Sequence, residues 1–360
     1  MAQPFIPFNL YLVAQNLGVN LRVLVPKAKV DFDSLSGKSV AIDAYNALYQ
    51  FLAIIRQPDG TPLKDSSGRI TSHLSGLFYR TVNLVEKGVK VAYVFDGAPP
   101  TLKEVEIKRR ARVKAEALVK YEQAVKAGKM EQARSYAQMT SKLKDYMPED
   151  SKRLLTELGV PWIQAPSEGE AQAAYLTRKG ASDYCGSQDY DSLLFGAKAL
   201  VRNITISGRR KLPRKNVYVE VVPEIMKLDH VLKELEVTRE QLIDVAMLVG
   251  TDFNPDGVKG IGPKTALKLI KQHGCIEEAL PELENAEFPV EPKRIREIFL
   301  HPKVADNYRL EWKEPNVEGV VDFLCRERDF SEDRVRKALS KMTAGLKEAK
   351  SKTTLESWFG

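Results

Sequence analysis

The sequence predicts an α/β fold, a largely parallel sheet flanked by helices. Three observations carry this reading. Ser39-Val40-Ala41-Ile42-Asp43 and Val91-Ala92-Tyr93-Val94-Phe95-Asp96 are short apolar runs, each closed by an acid, as buried strands would be. A helical apolar pattern through Ala47, Leu48, Phe51, Leu52 and Ile55 follows the first, and a second helix spans about Ser72 to Lys87. More acids follow later strand-like runs, and ligand sites in parallel sheets lie at the carboxyl ends of strands.

A length of 360 residues suggests two or three structural units and is ample for a large core. With 43% hydrophobic and 29% charged residues the chain reads as soluble and globular. The formal charge of +7 points towards a polyanionic partner. Cys185, Cys275 and Cys325 are scattered and match neither a disulfide framework nor a zinc spacing, which fits a reducing interior. No apolar run reaches the roughly 18 residues of a membrane span. Residues 1–21 lack the basic start and cleavage site of a signal peptide. The expectation is an intracellular protein with no membrane partner.

In chain order, residues 57–69 are turn-rich and read as an exposed loop. Gly97-Ala98-Pro99-Pro100 stops the second strand. A basic stretch follows, helical in propensity from about Leu102 to Asp145, broken near Gly128 and ended by Pro148. Between Thr101 and Lys144 it holds 12 Lys and Arg against 5 Glu, the whole chain's excess of positive charge. It carries few large aliphatics, so it is either a solvated hairpin or a cationic element that handles nucleic acid.

After a helix at about 149–158, the strand Val160-Pro161-Trp162-Ile163 leads into Glu168 and Glu170. A helix through Ala173, Ala174 and Leu176 and a short strand near 183–186 then deliver Asp189 and Asp191. Each acid pair has a spacing of two, which on a strand or its exit points both side chains to one side. Such acids repel unless a divalent cation neutralises them, and hard oxygen ligands suit Mg²⁺ or Mn²⁺. The plainer readings are a capping box for Ser167 with Glu170, a polar turn for Asp189 and Asp191, and helix N-caps for Asp43 and Asp96. Six acids from four segments, all at strand exits, favour a two-metal centre. The helix Gln241–Val249 adds Asp252 as a candidate seventh.

Lys259-Gly260-Ile261-Gly262-Pro263-Lys264 then opens a helix that runs to about His273. Glycines admit a phosphate close to the backbone, and the helix start supplies free N–H groups; an ordinary helix–turn–helix corner is the plainer alternative. Residues 281–317 read as packing loops with one short helix, and a final helical unit spans about 317–346. The tail is polar and basic until Thr354-Leu355-Glu356-Ser357-Trp358-Phe359, a docking motif at the end of a disordered segment. No Ser/His/Asp or Cys/His set appears, and the histidines at 73, 230, 273 and 301 do not cluster, which disfavours covalent catalysis.

Together these residues resemble the flap endonucleases, in the archaeal form of the eukaryotic-type enzyme. The matching pieces are Ala41-Ile42-Asp43-Ala44, Thr71-Ser72-His73-Leu74, Phe78-Tyr79-Arg80 and Val94-Phe95-Asp96-Gly97. They continue with Ala165-Pro166-Ser167-Glu168-Gly169-Glu170-Ala171, Asp189-Tyr190-Asp191 and Gly260-Ile261-Gly262-Pro263-Lys264. The likeness runs from about Gly18 to Phe359 with motif order kept. It implies a mixed, mainly parallel central sheet flanked by helices (a PIN-like 5′ nuclease fold), with a helical arch and a helix–two-turn–helix region.

It also implies a structure-specific 5′ flap endonuclease and 5′–3′ exonuclease of DNA replication and repair. The rivals are an excision-repair nuclease of the same superfamily, against which the compact arch speaks, and a non-catalytic junction-binding protein tethered to the clamp. Family metal ligands fall on Asp43, Asp96, Glu168, Glu170, Asp189, Asp191 and Asp252, for two Mg²⁺ or Mn²⁺. Lys103 and Arg110 match basic residues near the scissile phosphate. Tyr49 matches a base-stacking tyrosine, Arg56 and Arg80 match phosphate contacts, and the Gly260–Gly262 turn with Lys264 matches a duplex grip that coordinates K⁺. The tail matches a box that docks on the sliding clamp, PCNA, through Leu355, Trp358 and Phe359, with Lys352 where Gln is usual. The implied organisation is an extension at 1–17 (set before a family start at Leu17), a nuclease core at 18–235 with the arch at about 101–148, a helix–two-turn–helix and helical part at 236–343, and a flexible tail at 344–360. The expected partners are 5′-flap DNA and the clamp, and the expected state is a monomer.

Overall fold

The computed structural model describes the backbone of residues 19–359 apart from residues 58, 101–102, 207, 212–217, 284–285 and 287. At 104–105, 208–211, 218–219 and 349–359 it describes the backbone alone. The expected extension at 1–17 lies outside the described residues.

The strands are β1 (Ala28–Lys29), β2 (Ser39–Asp43), β3 (Lys90–Phe95), β4 (Trp162–Gln164), β5 (Tyr184–Gly186), β6 (Ala199–Arg202), β7 (Gly208–Lys211), β8 (Tyr218–Val221) and β9 (Glu224–Lys227). Seven of them form one sheet in the order β1-β9-β6-β5-β2-β3-β4, and β7 and β8 pair as a separate antiparallel hairpin. The pairings β6-β5-β2-β3-β4 are parallel, while β9 runs antiparallel to β6 and β1 to β9. The sheet is thus mixed and mainly parallel, as expected. Strand order reverses between β2 and β5, and such a switch point opens a crevice at the carboxyl edge.

Alternation along the strands divides the core into two layers. Val40 and Ile42 of β2, with Val91, Tyr93 and Phe95 of β3, face the helices Ala44–Ile54, Ser72–Glu86 and Tyr146–Glu157. Ala41 and Val94 face the opposite layer, with Gly169–Lys179 and Arg239–Val249. Small residues on both sides of this second contact, Ala41 against Ala171, Ala173 and Ala174, let the helix Gly169–Lys179 lie close on the sheet.

The basic stretch departs from expectation at its end. It forms the helix Glu104–Lys126, a break at Gly128 with φ 69°, and the helix Met130–Met139. Pro148 does not end it; the proline sits in the first turn of Tyr146–Glu157, where a missing N–H costs nothing. The sequence reading offered no element between 192 and 240, where β6 to β9 and the helix Leu228–Leu235 lie. The tail also differs, because one helix runs from Glu332 to Phe359 without a break at 344. Its Ala, Leu, Lys and Glu content favours helix continuation.

His73 lies fully buried in the helix Ser72–Glu86, beside Tyr146, with neither ring nitrogen hydrogen-bonded. Burial, with Arg69 and Arg328 nearby, pushes its pKa down to about 3. Between that value and the ordinary 6.5 the unfolded chain takes up a proton that the folded one refuses, so stability falls as pH falls through this window. In His73→Phe that loss should shrink: denaturant midpoints at pH 7 and pH 4.5 should lie closer together than in the parent. An unchanged pH dependence would contradict the buried neutral imidazole.

Candidate active site and its relatives

Seven acids gather at the carboxyl edge of the sheet. Asp43 ends β2 and caps the helix after it, accepting from the Asn46 N–H at 3.0 Å. The N-cap reading of Asp43 therefore holds, and the same carboxyl lies near Asp96. Asp96 follows β3 and accepts from the Gly169 N–H at 2.6 Å, so it caps the start of another helix, the one that carries Glu170. Ser167 and Glu170 make no capping box. The Ser167 hydroxyl donates to the Ala98 carbonyl, and Glu170 accepts from the backbone and side chain of Ser192. Burial favours those longer-range partners over a local cap.

Asp189 and Asp191 leave β5 on a short loop. Asp189 accepts from the Asn46 amide at 2.7 Å, and Asp191 from the Val19 N–H at 2.9 Å. Arg202 of β6 holds the loop, donating from Nε to the Gln188 carbonyl at 2.8 Å and from Nη1 to the Tyr190 hydroxyl. Asp252 arrives on the turn after Arg239–Val249, which is closed by Asn254 donating to the Met247 carbonyl and by Val258 N–H donating to the Leu248 carbonyl.

Two cations from the arch enter this cluster. Lys103 Nζ bridges Glu168 and Asp252, at 2.9 Å from the latter. Arg110 donates to Asp252 at 2.6 Å and to the buried Glu106 at 2.6 Å. The acids divide electrostatically around them. Burial, then Asp96, pushes Asp43 up to about 8; burial, then Asp43, does the same to Glu170. Burial is also the main cause of the upward shifts of Asp96, Glu168, Asp189 and Asp191. Burial works the same way on Asp252, but Lys103 and Arg110 overcome it and carry its carboxyl below the usual range. Burial would lower Lys103, yet Asp252 and Glu168 push it upwards.

The donor set is all oxygen, which fits Mg²⁺ or Mn²⁺ rather than zinc or copper. As the side chains stand, no three acids among the described residues are grouped closely enough to share an ion. Lys103 and Arg110 supply the countercharge instead.

The remaining expected residues are spread around the cluster. Tyr49 is half-buried, with the Lys114 ammonium 4.8 Å from its ring centroid. Arg56 is spent inside the protein, donating to the Leu52 and Gly60 carbonyls and to Ser141 at 2.8–3.0 Å. It braces the loop after the helix Ala44–Ile54 against the far end of the arch. Arg80 lines a cavity with Phe32, Asn83 and Lys87. Gly260, at φ 85°, and Gly262 have open space where a Cβ would stand, and Lys264 beside them is exposed. The clamp-box side chains Lys352, Leu355, Trp358 and Phe359 lie outside the described ones. Sequence reasoning missed Asn46, Glu106, Ser192 and Arg202. Only Glu106 left a signal, an acid three and four residues before Arg109 and Arg110 on one helix.

A mainly parallel sheet with an acid centre at its switch point, roofed by a basic helical arch, defines a nuclease of the 5′ nuclease class. The description "XPG N-terminal domain" matches residues 20–117 and "XPG I-region" matches 159–252. The Flap endonuclease 1 of Hyperthermus butylicus is 58% identical over 92% of this chain and 96% of its own length. That of Staphylothermus marinus is 55% identical over 95% of this chain and 100% of its own. The solved flap endonuclease-1 from Methanococcus jannaschii superposes with a TM-score of 0.72 at 42% identity, covering 92% of this chain and 99% of that one. The chain belongs to the flap endonuclease 1 family, and it is an enzyme that cuts DNA phosphodiester bonds according to DNA structure. The non-catalytic alternative is thereby excluded.

Gly97 is where Asp96 and Glu168 approach each other. Its N–H donates to the Ser167 carbonyl, and an added Cβ would stand 2.2 Å from the Ala165 carbonyl oxygen. Backbone cannot yield as a flexible side chain can. Gly97→Ala should lower kcat on a 5′-flap substrate by about 10²-fold through displaced acids. A parent-like kcat would contradict the requirement for this close approach.

Proposed function

We propose that this enzyme removes 5′ flaps through a two-Mg²⁺ centre, with Mn²⁺ able to substitute, in Okazaki-fragment maturation and DNA repair, and that it also acts as a 5′–3′ exonuclease. The observation that carries the reading is the convergence of seven carboxylates from separate segments beneath two arch cations. Asp43, Asp96, Glu168 and Glu170 would hold one ion, and Asp189, Asp191 and Asp252 the other. Ions bound there would supply an activated water and neutralise charge on the leaving 3′ oxygen.

Every other task belongs to the chain's own residues. Lys103 and Arg110, released from Asp252 and Glu168, would turn to the scissile phosphate and offset charge that grows in the transition state. Tyr49, uncovered by Lys114, would stack on the base beside the cut. Arg56 and Arg80 would serve phosphates near the junction, and Arg56 would have to give up internal partners to do so. The open Gly260–Gly262 turn with Lys264, and a K⁺ ion there, would grip duplex backbone. The arch would admit the 5′ strand, and specificity would rest on shape, because phosphate contacts position without reading bases.

The tail would tether the enzyme to the sliding clamp through Leu355, Trp358 and Phe359, with Lys352 giving a weaker contact than the usual amide. We further propose that the enzyme acts as a monomer inside the cell.

Asp189→Asn tests the metal assignment. Mg²⁺-dependent cleavage of a 5′-flap should be lost while flap binding, measured by fluorescence anisotropy without metal, stays at the parent level. Cleavage at the parent rate would defeat the assignment.

A further inference from the structure

A line of hydrogen bonds leads away from Asp189 into the protein. The Thr205 hydroxyl donates to Gln50 Oε1 at 2.8 Å, the Gln50 amide nitrogen donates to Asn46 Oδ1, and Asn46 Nδ2 donates to Asp189 Oδ2 at 2.7 Å. Asn46 turns its NH₂ towards Asp189 and its oxygen towards Gln50. Gln50 must then turn its oxygen towards Thr205, whose hydroxyl is left to donate. Asn46 and Thr205 are 7% and 5% exposed, and in such a setting linked bonds polarise and strengthen one another.

Asn46 also joins the two sides of the switch point. Its backbone N–H holds Asp43 at the end of β2 while its side chain holds Asp189 beyond β5. The capping of the helix Ala44–Ile54 needs only the backbone group, so capping does not account for the side-chain amide. We infer that Asn46, Gln50 and Thr205 are positioning residues that fix the carboxylate of Asp189, and its spacing from Asp43, for a divalent cation.

This inference rests on the metal reading proposed above. It predicts that removing the inner donor weakens metal binding by about 10–100-fold, the usual effect of losing an outer-shell partner of a ligand. The test uses the full-length enzyme. Free Mn²⁺ is titrated by electron paramagnetic resonance, with thermal unfolding in EDTA recorded for each variant. Asn46→Leu, which keeps the volume and loses the amide, should bind Mn²⁺ about 10–100-fold more weakly. Thr205→Val never touches Asp189, yet it should weaken binding in the same direction by a smaller factor, with an EDTA melting point like the parent's.

Parent-like Mn²⁺ affinity in Thr205→Val and in folded Asn46→Leu would overturn the positioning role. So would a loss of affinity that appears only together with a lowered melting point. Asp189→Asn separates the two levels of failure. If it loses an ion while Asn46→Leu and Thr205→Val bind like the parent, only the positioning role falls. If Asp189→Asn keeps every ion, the metal reading falls and takes the positioning role with it.

Discussion

The mutual repulsion of seven buried and half-buried carboxylates is the constraint that the rest of this structure answers. Burial penalises each charge, and neighbours penalise it again, which is why Asp43 and Glu170 are held near 8. Lys103 and Arg110 relieve part of that cost from above, through Asp252 and Glu168. Backbone and side-chain donors relieve part of it from below: Asn46 beneath Asp43 and Asp189, Gly169 beneath Asp96, and Ser192 beneath Glu170. Such an arrangement is costly for stability alone, and sites of this kind are where function is found. In the proposed reaction a divalent cation would take over from the arch cations beside the carboxylates and free those cations for a phosphate.

The fold creates this crowding through chain order. β2 sits at the middle of the parallel strands, β3 and β4 build outwards on one side, and β5 and β6 build on the other. β2, β3, β4 and β5 each lead to acids near the same edge. Asp252 comes from a different device, the turn between the helices Arg239–Val249 and Pro263–His273, whose Gly260 and Gly262 face open space. One turn therefore supplies both an acid of the centre and the glycines proposed to grip duplex backbone. The arch and the acids meet at Asp252, which pairs with both Lys103 and Arg110.

Much of this was legible in the sequence, for reasons specific to particular residues. Asp43 and Asp96 stand directly after apolar runs of strand length, so their position at the sheet edge follows from the run itself. Glu168 and Glu170, and Asp189 and Asp191, are legible as pairs because a spacing of two has a geometric meaning. What could not be read is whatever depends on partners far away in the chain. Ser167 and Glu170 have the local pattern of a capping box, yet each bonds elsewhere because Ala98 and Ser192 are brought close. The resemblance gives Arg56 as a phosphate contact, yet folding places three acceptors around it. β6 and β9 are four residues long and rich in ordinary side chains, so only pairing identifies them.

Anomalous diffraction from crystals grown with Mn²⁺ bears most directly on the acid centre. Two anomalous peaks about 4 Å apart are expected, one against Asp43, Asp96, Glu168 and Glu170 and the other against Asp189, Asp191 and Asp252, with Lys103 drawn away from Asp252. A crystal at saturating Mn²⁺ with no peak among these seven acids, and Lys103 still bridging Glu168 and Asp252, would contradict the two-ion centre.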